Sequence, residues 1–174
     1  MLVIADHARA IGFAGVMGGQ ETAISDSTTE VLLEVAYFEP DAIAGRGRRY
    51  GLVTDASQRF ERGVDFNLQT RAIELATELL LSVAQGKAGP VNEVSNSINS
   101  RRAINLRHHR LIKVLGCSIT EIEVRRILLS LGMNIAEEPS SPQSWQVIPP
   151  SWRFDINIEE DLIEEIARIF GYDN

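Results

Sequence analysis

His109-Arg-Leu-Ile-Lys-Val-Leu-Gly116, Thr120-Glu-Ile-Glu-Val-Arg-Arg-Ile-Leu-Leu-Ser-Leu-Gly132, Met133-Asn-Ile-Ala136 and Trp145-Gln-Val-Ile148 follow one another in the second half of the chain. Their order decides how that half is read. The first segment is helical and Gly116 ends it. Thr120 opens a second helix with Glu123 three positions later, the spacing at which two side chains cap each other's free backbone donors. Gly132 closes that helix. The two apolar pieces that follow form a hairpin around Pro139-Ser140-Ser141-Pro142, and Pro149-Pro150 stops its second strand. A final helix is expected from Glu159 to Phe170.

Helix, tight turn, helix and hairpin is the order of a winged helix-turn-helix, which taken alone suggests nucleic-acid binding. Many small α+β modules share it, so the order is a weak signal. From Arg101 onward there are nine Lys/Arg and eleven Asp/Glu, the wrong balance for a DNA reader.

Upstream, Glu93 to Arg102 is rich in Ser and Asn and poor in core residues, and marks a domain boundary. The chain therefore divides into residues 1–95 and 100–174. In the first part, Leu2 to Ala5 and Ile11 to Met17 are apolar runs that read as strands of a hairpin. Val31 to Phe38 is a third apolar segment, read as a strand with Glu34 in its middle. Pro40-Asp41, Gly45, Gly47 and Gly51 break the pattern into a loop-rich region. From Asn67 to Ala84 the positions Leu68, Ala72, Leu75, Ala76, Leu79, Leu80 and Val83 recur at helical spacing, an amphipathic helix stopped by Gly86 and Gly89-Pro90.

Composition bounds the class. Of 174 residues 44% are hydrophobic and 24% charged, as in ordinary globular proteins. No apolar run approaches the roughly 20 residues of a membrane span, so no membrane role is expected. The single cysteine, Cys117, excludes an internal disulfide and reads as a small buried residue in a reducing cytosol. The net charge of −7 argues against a general nucleic-acid binder. Yet Arg46, Arg48, Arg49, Arg59 and Arg62 crowd one stretch, and a solvated loop or a phosphate contact would both account for them.

Four motifs taken together are more specific. They are Gly15-Val-Met-Gly-Gly19, Leu32-Leu-Glu34, the run from Gly45 through Arg46-Gly-Arg-Arg-Tyr50 and Thr54-Asp-Ala-Ser-Gln-Arg59 to Asp65, and Pro149-Pro-Ser-Trp-Arg-Phe-Asp155 leading into Asp161-Leu-Ile-Glu-Glu165. In this order they resemble the B3/B4 and B5 regions of the β chain of bacterial-type phenylalanyl-tRNA synthetases, over nearly the whole chain. The resemblance implies an α+β fold: part of a mixed-sheet editing domain, followed by a small winged-helix-like B5 module. It also implies a piece of a longer chain, with Met1 an artificial start or that of a truncated gene product. The implied partners are the synthetase α chain, which carries the aminoacylation site, and tRNA(Phe), within an α2β2 heterotetramer in the cytoplasm. ATP is then used by the holoenzyme and not bound by these residues.

The function so implied is support of tRNA(Phe) charging together with hydrolytic editing of Tyr-tRNA(Phe). Phenylalanine and tyrosine differ by one hydroxyl, and an apolar pocket rejects an added hydroxyl poorly. A second site built to bond the phenol reverses that asymmetry, because phenylalanine then leaves a buried polar group unpaired. Unaided, Glu34 would read as a solvent-facing acid; by resemblance it contacts the tyrosine hydroxyl. Gly18 and Gly19, otherwise turn glycines, would let a ligand approach the backbone. Thr54 would offer a hydroxyl to the ester or a water, and Ala56 would leave room for the ring. No covalent nucleophile is implied, only oriented water. The family's pocket histidine lies outside this sequence, and His7 reads as a turn residue.

In the last helix Asp161, Glu164 and Glu165 stand at i, i+3 and i+4, on one face. With Asp155 they match, by resemblance, a Mg²⁺ site shared with the α chain. Four carboxylates suit such a hard ion, although acids early in a helix also simply favour its dipole. Glu159 and Glu160 read as dipole and surface charges, and His108 and His109 as packing or surface residues. The alternative class is a structural or interaction module with a nucleic-acid-binding domain and no catalysis of its own.

Overall fold

The strands and helices form where alternation, capping residues and glycines dictate, and they collect into two units, Met1–Ser95 and Asn96–Asn174. The structure is a computed structural model, and it describes residues 1–95, 100–136 and 143–174. The boundary residues 96–99 and the expected turn at Pro139-Ser140-Ser141-Pro142 lie outside the described residues. The protein is α+β, with small antiparallel sheets and helices in both units.

The first unit opens with the expected hairpin. Strand β1 (Val3–Ala5) pairs antiparallel with β2 (Ala10–Phe13). Asp6 turns the chain between them, its carboxylate accepting from the amides of Ala8 at 2.7 Å and Arg9 at 2.8 Å. The second apolar run does not continue as one strand. At Gly15 the backbone takes φ +67°, and the chain returns as β3 (Met17–Gly18) against β2. An alanine Cβ at Gly15 would stand 3.1–3.2 Å from Phe38, Ile43 and Phe60 as well as being strained.

Two expectations for this unit are corrected. Val31 to Phe38 is not a strand: no ladder takes up its backbone, and Leu32 is 94% exposed. An apolar run makes a strand only where a neighbouring strand offers hydrogen bonds, and among the described residues none is placed to do so. The glycine-broken region is not all loop, but holds three short helices, α1 (Pro40–Ile43), α2 (Arg46–Arg49) and α3 (Asp55–Arg62). Helix α4 (Gln69–Ala84) forms as its spacing predicts, yet none of its residues is buried. Its apolar row is only half covered: Ala72, Ala76 and Leu80 are half-buried, while Leu75 and Leu79 are more than half exposed.

The second unit has a continuous core. Strand β4 (Ile104–Arg107), which the sequence reading missed, pairs antiparallel with β6 (Ser144–Ile148), and β5 (Asn134–Ile135) lies on the other edge of β6. Ile104 and Leu106 point inward while Asn105 is exposed, the period of two of a half-buried strand. Helices α5 (His108–Leu115), α6 (Glu121–Ser130) and α7 (Glu159–Phe170) cover the sheet. Leu106, Leu111, Val124, Ile127, Leu128, Val147, Leu162 and Ile166 are fully buried between them. Thr120 caps α6, accepting from the Glu123 amide at 3.2 Å. Glu123 does not return the cap, because its carboxylate pairs with Arg126 at 2.7 Å.

Candidate functional site

The loop Gly15–Gly19 is where the first unit converges. Phe38 and Phe60 meet edge-on at 5.1 Å above Gly15, bringing the segment that carries Glu34 and helix α3 to the same place. Thr54 ties the loop from the other side, its hydroxyl donating to the Val16 carbonyl at 2.8 Å. That hydroxyl also accepts from the Ser57 amide at 3.1 Å, while the Thr54 amide donates to Ser57 Oγ at 3.0 Å. Thr54 is thus the N-cap of α3 in a reciprocal capping box. Its proton is committed to Val16, so its evident contribution is to hold the loop.

Gly19 donates to the Ile11 carbonyl at 2.7 Å, and a Cβ there would collide with that oxygen. Gly18 differs: a Cβ would meet nothing within 4 Å, and its backbone lies open. Ala56 is half-buried in the first turn of α3. Glu34 is exposed by surface area, yet desolvation raises its carboxyl pKa above the ordinary value. The two agree once range is considered, since protein that does not touch a carboxylate still thins the water around it. An apolar hollow beside β2 is lined by Phe13, Val16, Ile43, Arg46 and Tyr50 among others, and by none of Gly18, Gly19, Glu34, Thr54 or Ala56.

In the second unit the four acids are placed differently from one another. Asp155 pairs with Arg153 at 2.7 Å, and this hydrogen bond pulls its pKa down. Glu165 is buried and takes Arg153 at 2.8 Å and Arg168 at 2.6 Å, which hold its pKa at about 2. Asp161 caps α7, accepting from the amides of Asn157 at 2.7 Å and Ile158 at 3.0 Å. Glu164 is exposed. Among the described residues no three His, Cys, Asp or Glu side chains are grouped so as to hold a metal ion.

Comparison with known proteins supplies the assignment. Residues 1–85 match the B3/4 domain family and residues 104–172 the tRNA synthetase B5 domain family. The chain is 50% identical to the phenylalanine-tRNA ligase beta subunit of Methylococcus capsulatus, 51% to that of Idiomarina loihiensis and 48% to that of Dickeya dadantii. Each alignment covers 99% of this chain. The chain belongs to the phenylalanine-tRNA ligase beta-subunit family. It spans 22% of the length of these relatives.

Within that family, the magnesium ion expected from the resemblance does not fit these carboxylates as they stand. Two are neutralised by arginines and a third is spent on backbone amides, so three of the four already have other partners. Glu159 departs from the dipole and surface role expected of it. It is not a surface charge: its carboxylate accepts from the Arg107 amide at 2.8 Å and from the Arg107 guanidinium, and pairs with Arg110 at 3.2 Å. Only Glu160, paired with Arg110, is half exposed. His108 is a packing residue, its Nε2 2.8 Å from the Ile119 carbonyl and its ring edge-on to Trp145. His7 is exposed at the first hairpin turn, and Cys117 is half-buried rather than buried.

Proposed function

We propose that this chain serves as part of a phenylalanine-tRNA ligase β subunit, with its first unit forming one wall of a site that hydrolyses Tyr-tRNA(Phe). The observation that carries the reading is the convergence of Thr54, Phe38 and Phe60 on the Gly15–Gly19 loop, with Gly18 left open beside it. Such a loop presents backbone to an ester while excluding side chains, which suits orienting a water rather than forming a covalent intermediate. Glu34 would accept the phenol hydrogen bond that phenylalanine lacks. Thr54 would act by fixing the loop. The second unit supports charging of tRNA(Phe) by packing on the α chain of a cytoplasmic α2β2 enzyme, where ATP and Mg²⁺ are used.

Hydrolysis of Tyr-tRNA and Phe-tRNA by this chain, a Glu34→Ala variant and the complete β subunit tests the reading. Selective loss of Tyr-tRNA that Glu34→Ala weakens is the expected result. Activity only in the complete subunit would make this piece a partial wall. An inactive complete subunit would overturn the editing assignment.

A further inference from the structure

Glu34 stands on a segment without regular secondary structure, so something other than a strand ladder fixes its place. Among the described residues, no backbone group elsewhere in the chain bonds the backbone of residues 31–38. The one hydrogen bond that reaches that backbone, among the described residues, comes from a side chain: Gln69 Nε2 donates to the Ala36 carbonyl at 3.4 Å. The same nitrogen donates to the Asp65 carbonyl at 3.0 Å. Gln69 thus joins the segment carrying Glu34 to the connection between α3 and α4.

Two ring contacts continue what Gln69 begins. Tyr37 meets Phe66 edge-on with centroids 6.2 Å apart, and Phe38 meets Phe60 at 5.1 Å. Burial first, and then the charge and hydrogen bond of Glu39, raise the phenol pKa of Tyr37, as suits a ring partly withdrawn from water. Residues 36, 37 and 38 are each held by one side chain, from Gln69, Phe66 and Phe60 in turn. Exposure follows the same division: Val31 to Glu34 are exposed and Val35 to Phe38 half-buried. Glu34 is the last exposed residue before the held part.

Gln69 is the first residue of α4, and a side chain serving the helix itself would accept from the free amides of its first turn. Gln69 does the opposite. It donates to two carbonyls that lie outside the helix, and Leu68, the N-cap, offers no side-chain bond.

We propose that Gln69 is a positioning residue for Glu34: through the Ala36 carbonyl, with Phe66 and Phe60 holding the next two residues, it sets where the glutamate meets a phenol. The role in hydrolysis rests on the editing reading; the hold on residues 36–38 does not. An acid that recognises a phenol discriminates only while it stays within hydrogen-bond reach, so slack in its segment erodes selectivity before it unfolds the unit.

Two measurements on the complete subunit test this, with Gln69→Leu, which keeps the bulk and removes the donor. Cleavage after Glu34 by a glutamate-specific protease, followed by fragment mass, speeds up by about threefold or more as the segment opens locally. Hydrolysis of Tyr-tRNA(Phe) falls on the order of tenfold. In the Glu34→Ala background the same substitution changes hydrolysis by less than about twofold, because both act through one carboxylate. Phe66→Leu, which loosens the next contact, moves both readings the same way and serves if Gln69→Leu folds poorly. Equal losses of hydrolysis in the two backgrounds mark general damage and overturn the proposal, as does unchanged cleavage after Glu34. If Glu34→Ala leaves hydrolysis intact while Gln69→Leu still speeds cleavage, the editing role of Glu34 fails and the hold on its segment stands. If Glu34→Ala weakens hydrolysis and Gln69→Leu does not, the positioning role fails alone.

Discussion

The hydroxyl of Thr54 donates to the carbonyl of Val16 at 2.8 Å, across 38 positions of chain, while accepting from the amide of Ser57 at 3.1 Å. One side chain thus starts α3 and fastens the Gly15–Gly19 loop to it. Thr54→Val keeps the shape and removes both bonds, and is expected to cost about 1–2 kcal/mol. Thr54→Ser keeps both and should cost less than about 1 kcal/mol. Urea unfolding of the two variants checks this. A loss in Thr54→Ser with none in Thr54→Val would mean that the methyl group, not the hydroxyl, fixes the loop.

Two glycines of the same loop separate folding from function. Gly15→Ala places a methyl group against Phe38, Ile43 and Phe60 at a positive φ, and should destabilise by about 1–3 kcal/mol. Gly18→Ala meets open space and should leave stability within about 0.5 kcal/mol. If Gly18 is where the ester approaches, Gly18→Ala in the complete subunit still loses hydrolysis of Tyr-tRNA, on the order of tenfold or more. Normal stability together with normal hydrolysis would remove Gly18 from the site.

Glu159 and Glu160 are adjacent acids with opposite expected sensitivities. Glu159 is 11% exposed at its side chain and satisfies both the amide and the guanidinium of Arg107, pinning the start of α7 to β4. Removing it leaves those donors partly buried and unpaired, so Glu159→Ala should cost about 2–3 kcal/mol. Glu160 pairs with Arg110 from a half-exposed position, and Glu160→Ala should cost less than about 1 kcal/mol. Thermal melts of the two variants give the comparison, and equal shifts would contradict the pinning role.

Local signals in the sequence carried the second unit well, because its helices end at glycines and begin at capping residues. Gly116 takes φ +72° and Gly132 φ +76° where those helices stop. Strand β4 escaped notice because Ile-Asn-Leu-Arg is too short to alternate convincingly before a partner is known. In the first unit the same apolar reading misled. Val31 to Phe38 has the composition of a strand but finds no ladder, and α4 has a helical stripe but buries no residue of it fully. Motif resemblance selected Gly18, Gly19, Glu34, Thr54 and Ala56, yet only the folded chain revealed that Thr54 is already committed to Val16. The acidic helix is a related case. Spacing placed Asp161, Glu164 and Glu165 on one face, but Arg153, which neutralises Glu165 from outside the helix, is not visible in that spacing.

That neutralisation has a pH signature. Arg153 first, then Arg168, lowers the pKa of Glu165 from its ordinary 4.5 to about 2. A carboxylate with a depressed folded pKa contributes stability that is fully present above the unfolded value and lost as pH falls through the folded one. The window is therefore pH 4.5 down to about 2. The shift corresponds to about 3 kcal/mol, and on the order of 2 kcal/mol once solvent around the half-exposed Arg168 is allowed for. Glu165→Gln fills the same volume without the charge, so it should melt several degrees below the parent chain at neutral pH. As pH falls through the window the two melting temperatures should converge, because protonation makes the parent resemble the variant. Differencing the two chains cancels every other carboxylate titrating in the same range. A gap that stays constant down to pH 2 would show that glutamine is tolerated poorly for its shape, and that the ion pairs with Arg153 and Arg168 contribute nothing.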